Sequence, residues 1–170
     1  MELFVSTFVI VGVVPGQPDA VVLEAAAFAD RFHAELVCVM VEPGRYVVDE
    51  FADGSIMSLP VDPDLVDLDD EGFPVALRAH LTTLLVGRTL TWSTRAVAGD
   101  PARALSHLAD TLDAAMIVVG TRERGVRATV QEFFGGSVAV HLAHRQHRPV
   151  VVIPLAPVAY RDELPWESTE

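Results

Sequence analysis

The apolar and polar positions of this chain follow two rhythms in alternation. "FVIVGVV", Phe8 to Val14, is a continuous apolar run stopped by Pro15-Gly16, and such a run predicts a strand buried on both faces. Beyond it Val22, Ala25, Ala26 and Ala29 recur at i, i+3, i+4 and i+7. That is the stripe of a helix, with Pro18 suited to its first turn. "AELVCVMV", Ala34 to Val41, predicts a second strand; Leu77, Leu81, Leu84 and Leu85 mark a second helix; "TLTWSTRAV", Thr89 to Val97, predicts a third strand. The third helix carries its own start signal. Asp100 stands at the N-cap, Pro101 at the first helical position, and Leu105, Leu108, Ala109 and Leu112 form its stripe. "AMIVVG" predicts a fourth strand, residues 137–147 a fourth helix, and "PVVVIP" a fifth strand.

Strands and helices alternating at these lengths predict parallel βαβ units with right-handed crossovers. The fold class is therefore α/β, a single open five-stranded parallel sheet with helices on both faces, Rossmann-like. Ligands of such sheets bind beyond the carboxyl ends of strands, where the strand order reverses, which directs attention to the ends of the first and fourth strands. Residues 42–72 break the rhythm. They are rich in Asp, Glu, Pro and Gly, end in "DLDDEG" and lack the glycine and spacing of an EF-hand loop. A solvated acidic loop is the expectation there. Residues 1–154 form one domain in this reading, and 155–170 an extended or docking tail.

Composition narrows the function. A chain of 170 residues with mean hydropathy +0.35 can bury a real core. Its formal charge of -12 opposes sequence-independent binding to nucleic acid or to an anionic membrane, both of which require spread positive charge. All twelve basic residues are arginine. Without lysine there is no P-loop lysine and no Schiff-base chemistry. Cys38 is the single cysteine, so no internal disulfide forms, and its apolar surroundings predict a buried thiol. "LFVSTFVIVGVV" lacks a basic leader and is too short to span a membrane, so it reads as the first strand of a cytoplasmic protein.

Against that acidity, Arg122, Arg124 and Arg127 follow the fourth strand, and Arg145 and Arg148 lie further along the last helix, with only Glu123 and Glu132 as acids between residues 120 and 148. Gly120 ends the strand, Gly125 lies in the loop and Gly136-Ser137 opens the last helix. Glycines let backbone amides approach a ligand, and a helix N-terminus offers free N–H groups and partial positive charge. The pattern suits a phosphate-bearing ligand. It equally fits a plain helix cap at Gly136-Ser137 with the arginines as a solvated rim. Val126, Val130, Phe133 and Phe134, at i, i+4, i+7 and i+8, predict a short helix in the loop with its apolar face packed down.

At these residues the sequence resembles the universal stress protein family. The resemblance covers residues 8 to 154 and rests on "VVG" with its arginine-containing loop, on "GGSVAVHLAHRQHRPVVVIP" and on the "AVAGDPARAL" turn. It implies strand order 3-2-1-4-5 and a homodimer joined through the fifth strands, Pro149 to Pro154. An edge strand of this kind would otherwise invite aggregation. One branch of the family binds ATP through glycine, two residues, glycine, nine residues, glycine, then Ser or Thr; another has lost that pattern. Here Gly120 matches the first glycine and Gly136 with Ser137 the end. Glu123 occupies the second glycine position, and the loop is about three residues longer, with Gly125 as a substitute. The ATP-binding branch places an aspartate after the first strand, and the matching residue here is Val14. Loss of that acceptor weakens adenine or ribose recognition by about 1 kcal/mol.

The resemblance thus implies ATP or another adenine nucleotide, with magnesium, bound without turnover. The base would lie against Gly12, Val14, Val41 and Val119, and the phosphates against Gly120, Arg122, Gly125, Gly136, Ser137 and Val138. The alternative is a dimeric interaction scaffold that has lost nucleotide binding. His141, His144 and His147, three apart on the last helix, read as polar surface rather than a metal site. No nucleophile elbow and no G-x-G-x-x-G after the first strand is present, so a dinucleotide oxidoreductase is not expected, and a slow nucleotide hydrolase is the third and weakest reading.

Overall fold

A computed structural model describes residues 7–62, 72–121, 138–155 and 157. The elements run β1 (Phe8–Gly12), α1 (Ala20–Arg31), β2 (Glu35–Glu42), β3 (Arg45–Glu50), β4 (Ile56–Pro60), α2 (Val75–Leu85), β5 (Trp92–Ala98), α3 (Pro101–Thr111), β6 (Met116–Gly120), α4 (Val138–Arg145) and β7 (Val150–Ile153). Five strands form one parallel sheet in the order β5-β2-β1-β6-β7. Counted without the β3–β4 pair, this is the 3-2-1-4-5 order implied by the resemblance.

β1 is the axis of the fold, and its sequence explains why. Val9, Ile10 and Val11 are completely buried, and because successive side chains of a strand point to opposite faces they feed two separate cores. Val9 and Val11 join the core under α1 and α2, with Val21, Ala25, Leu36, Leu81 and Val118. Ile10 joins the core under α3 and α4, with Val37, Leu105, Leu108, Ile117 and Leu142. The chain leaves β1 for β2 on one side and returns to β6 on the other, so the strand order reverses between β1 and β6.

One local expectation changes. Pro18 precedes α1, whose first residue is Ala20, and contributes only a carbonyl that accepts from the Val21 amide at 3.3 Å. The Asp19 side chain makes no cap bond; it meets Nε2 of His80 on α2 at 2.7 Å instead. At α3 the expectation holds: Asp100 accepts from the Arg103 amide at 2.9 Å, with Pro101 at the first position.

The larger correction concerns residues 42–72. They are not simply a solvated loop, because β3 and β4 pair as an antiparallel hairpin with an irregularity between Val47 and Asp49. Its turn is fastened by Asp53, whose Oδ1 accepts from the Ser55 amide at 3.0 Å and the Ser55 hydroxyl at 2.6 Å. Those bonds hold the Asp53 carboxyl below its usual range. The hairpin docks on α3: Nε2 of His107 meets Glu50 Oε2 at 2.6 Å, Ile56 packs on the α3-side core, and Gly54 is buried against Leu108. Gly54 has φ +78°, and a Cβ there would lie 2.6 Å from Leu108 Cδ1, so the tip has no room for a side chain. The segment 63–71 lies outside the described residues.

Candidate functional site

In an open sheet the space beyond the carboxyl ends at the strand-order reversal is the candidate crevice, here at β1 and β6 beside the starts of α1 and α4. Gly12 ends β1 beneath α3; a Cβ there would stand 3.5 Å from Leu105 Cδ1 and 3.6 Å from Val119 Cγ1, in ordinary contact. Val41, Val119 and Val138 all join the apolar cluster on this same face. The structure therefore brings Gly12, Val41, Val119 and Val138 to one side of the sheet, an apolar wall suited to a flat ring.

The other side of Gly120 is filled by the protein itself. A Cβ on Gly120 would meet Val21 Cγ2 at 2.9 Å, Leu155 Cδ1 at 3.0 Å and Gln17 Nε2 at 3.1 Å. The glycine is thus required by chain packing irrespective of any ligand. Val14 stands just past β1, 53% exposed, and its amide donates to Gln17 Oε1 at 3.1 Å. Thr121 is spoken for as well: its amide donates to the Ile153 carbonyl and its hydroxyl accepts from the Leu155 amide, each at 2.8 Å. Sequence reasoning missed Gln17, Thr121 and Leu155. A polar residue in the Pro15–Pro18 turn and single residues just past β6 and β7 carry no pattern that announces such contacts.

Arg122, Gly125, Gly136 and Ser137, together with Arg124, Arg127 and the Phe133-Phe134 turn, lie outside the described residues. Arg148, counted with the positive surroundings in the sequence, is removed from them by geometry. α4 runs back from the carboxyl edge of the sheet to the start of β7, so its far end lies at the opposite rim. There Arg148 Nε donates to the Ala114 carbonyl at 2.7 Å, and the guanidinium pairs with Asp110 and, at 3.2 Å, with Asp113. Its side chain is 9% exposed, which makes it a strut between the α3–β6 and α4–β7 turns.

His141, His144 and His147 are exposed, and among the described residues no group of three His, Cys, Asp or Glu is placed to hold a metal. The described residues Gly12, Val14, Val41, Val119, Gly120 and Val138 have no side-chain oxygen and so offer magnesium no side-chain ligand. Cys38 is fully buried, and desolvation pushes its thiol up to about 12. No described helix is long and apolar enough to cross a membrane.

The fold defines an open, doubly wound α/β protein whose strand order reverses between β1 and β6. The model of the universal stress protein family matches residues 9–154, and the chain belongs to that family. Among curated proteins no match to the chain is found. A universal stress protein solved in complex with cAMP is similar at 21% identity and TM-score 0.56, over 89% of this chain and 98% of the other. Universal stress protein UspA from Lactobacillus plantarum is similar at 18% and 0.56, over 86% and 97%. The universal stress protein from Archaeoglobus fulgidus in complex with dAMP is similar at 18% and 0.55, over 88% and 99%. At these identities the likeness speaks for the fold.

Proposed function

We propose that this chain is an adenine-nucleotide-binding module that senses or buffers its ligand without turning it over. The observation that carries the reading is the apolar wall of Gly12, Val41, Val119 and Val138 at the strand-order reversal. Its support from outside is that solved members of the same fold hold cAMP and dAMP. In this reading Val14 and the wall receive the base, and Gly120, Arg122, Gly125, Gly136 and Ser137 receive the phosphates, with magnesium carried on them. The working unit is a cytoplasmic homodimer, formed by domain 1–154 through Pro149–Pro154, with 155–170 as its tail. β7 supports that reading because among the described residues it pairs only with β6 and leaves Val152 42% exposed.

Titration calorimetry with ATP, ADP and AMP tests the proposal. Heat that saturates in the wild type and is lost or weakened in Ser137→Ala supports it; no heat at about 1 mM ligand, a level at which even weak sites fill, rejects it. A specific observation favours a second reading, a dimeric scaffold without nucleotide. Val14 replaces the aspartate of the binding branch, and its amide is already engaged by Gln17. Light scattering that reports a dimer together with silent calorimetry would select this alternative.

A further inference from the structure

An antiparallel hairpin with one side against the protein ordinarily turns its apolar residues inward and its polar ones outward. The β3–β4 hairpin does the reverse. Arg45, opposite Pro60, donates from Nε to the Ser58 hydroxyl at 2.9 Å and from Nη2 to the Ser58 carbonyl at 2.7 Å. Glu50, opposite Ile56, meets His107 on α3. Side chains alternate across a strand, and Ile56 packs on the α3-side core, so Arg45, Glu50 and Ser58 all belong to the inward side.

The outward side is apolar. Met57 and Leu59 are its successive positions on β4, and Tyr46 stands opposite Leu59. The pairing runs one step further, because the Val61 amide donates to the Gly44 carbonyl at 2.9 Å, and Val61 takes the next outward place. These four side chains are between 43% and 64% exposed. They form one continuous stripe at the spacing of cross-strand neighbours. A large exposed apolar stripe bordered by polar groups marks an interaction surface.

Charge identifies what covers it. Between residues 45 and 61 the chain carries Asp49, Glu50 and Asp53 against a single base, Arg45, and that base is turned inward. Asp49 stands opposite Met57 at the border of the stripe, and Asp53 is exposed in the turn. The surroundings of the stripe are therefore negative, on a chain of formal charge -12. A second copy would bring two such negative surfaces together, which is unfavourable, and an anionic lipid surface is repelled in the same way. A segment with apolar side chains along one side and arginine or lysine beside them matches both the stripe and its border.

We infer that the outward face of the hairpin, Tyr46, Met57, Leu59 and Val61 bordered by Asp49, docks a basic amphipathic segment of another protein. The inference does not rest on the nucleotide reading.

Two leucine–lysine peptides, with leucines at helical and at strand spacing, are the probes, titrated into the full chain to about 1 mM with amide-resolved NMR. Scrambled peptides of the same composition and leucine–glutamate analogues are the controls. At least one basic amphipathic peptide should shift β3 and β4 and leave β7 in place, and its binding should weaken severalfold between about 0.05 and 0.3 M salt. Met57→Ser combined with Leu59→Ser should weaken it about tenfold or more through lost apolar contact. Should that pair fail to fold, Asp49→Arg leaves the stripe whole and carries the test, with the basic peptide weakened severalfold. Equal binding of the scrambled or acidic peptides, wild-type affinity in either variant, or no shifts with either probe would overturn the inference. So would hairpin shifts on dilution of the free chain, which assign the face to a second copy. Equal shifts with phosphatidylcholine vesicles would assign it to lipid, and hairpin shifts caused by Trp166→Ala without peptide would assign it to the chain's own tail; either result overturns the inference as well.

Discussion

The docking of the hairpin on α3 is most sharply tested by Gly54→Ala. Gly54 has φ +78°, where an L-residue is strained by about 1–2 kcal/mol. The added methyl carbon would also lie 2.6 Å from Leu108 Cδ1 and 3.6 Å from Thr111 Cγ2. Leu108 cannot easily withdraw, because it is a core residue of α3 packed with Leu105 and Ile117. Overpacking of this kind costs about 1–3 kcal/mol, and the two effects together reach about 2–5 kcal/mol. For a chain of this size each kcal/mol lowers Tm by about 2–4 °C, so the melt should fall by about 4–20 °C. If the tip lifts instead, the His107–Glu50 contact breaks and hydrogen exchange accelerates across β3 and β4 but not in β1. Calorimetric melting with residue-resolved exchange separates the two outcomes. The Leu108→Ala background provides the control: the clash disappears, so the two substitutions should be non-additive by more than about 0.5 kcal/mol. Strict additivity, or an unchanged melt with unchanged hairpin exchange, would refute the reasoning.

Three other positions test the packing of the fold. Gly120→Ala should destabilise by about 1–3 kcal/mol in urea denaturation even without nucleotide, because the methyl meets Val21, Leu155 and Gln17 at 2.9–3.1 Å; a neutral result would mean that the space is open. Arg148→Met should cost about 1–2 kcal/mol, chiefly because it strands the Ala114 carbonyl, the exposed Asp110 and Asp113 being solvated, and high salt should recover little of it. Cys38 should resist thiol reagents until the chain unfolds. Its folded pKa of about 12 lies above the ordinary 9.0, so only the unfolded thiol ionises between those values. Its contribution to stability is then complete below pH 9 and falls by about 1.4 kcal/mol per unit above it. Cys38→Ala should flatten that part of the pH–stability curve, and an unaltered slope would contradict the burial argument.

The central sheet was legible because its strands announce themselves: Val9, Ile10 and Val11 are apolar on both faces as a doubly covered strand must be. Asp100-Pro101 likewise fixed the start of α3 from sequence alone. The hairpin was not legible, for a reason visible in β4. There Ile56, Ser58 and Pro60 are the half-buried positions and Met57 and Leu59 the exposed ones, so apolar residues lie on both sides and no clean alternation survives. The candidate crevice was located by topology, yet its sequence signal mixed two sorts of residue. Gly12, Val41, Val119 and Val138 do share a face, whereas Arg148, equally conspicuous as a positive charge, braces the far rim.

By itself the sequence determined which segments become strands and helices and in what order they alternate, because periodicity and caps act within a few residues of chain. That alternation, with the fixed handedness of βαβ crossovers, left little freedom for the parallel sheet. Only the tertiary structure decided what the hairpin rests on and what fills the space at Gly120. Each of those contacts joins residues far apart in the chain, where no local pattern records the distance between them.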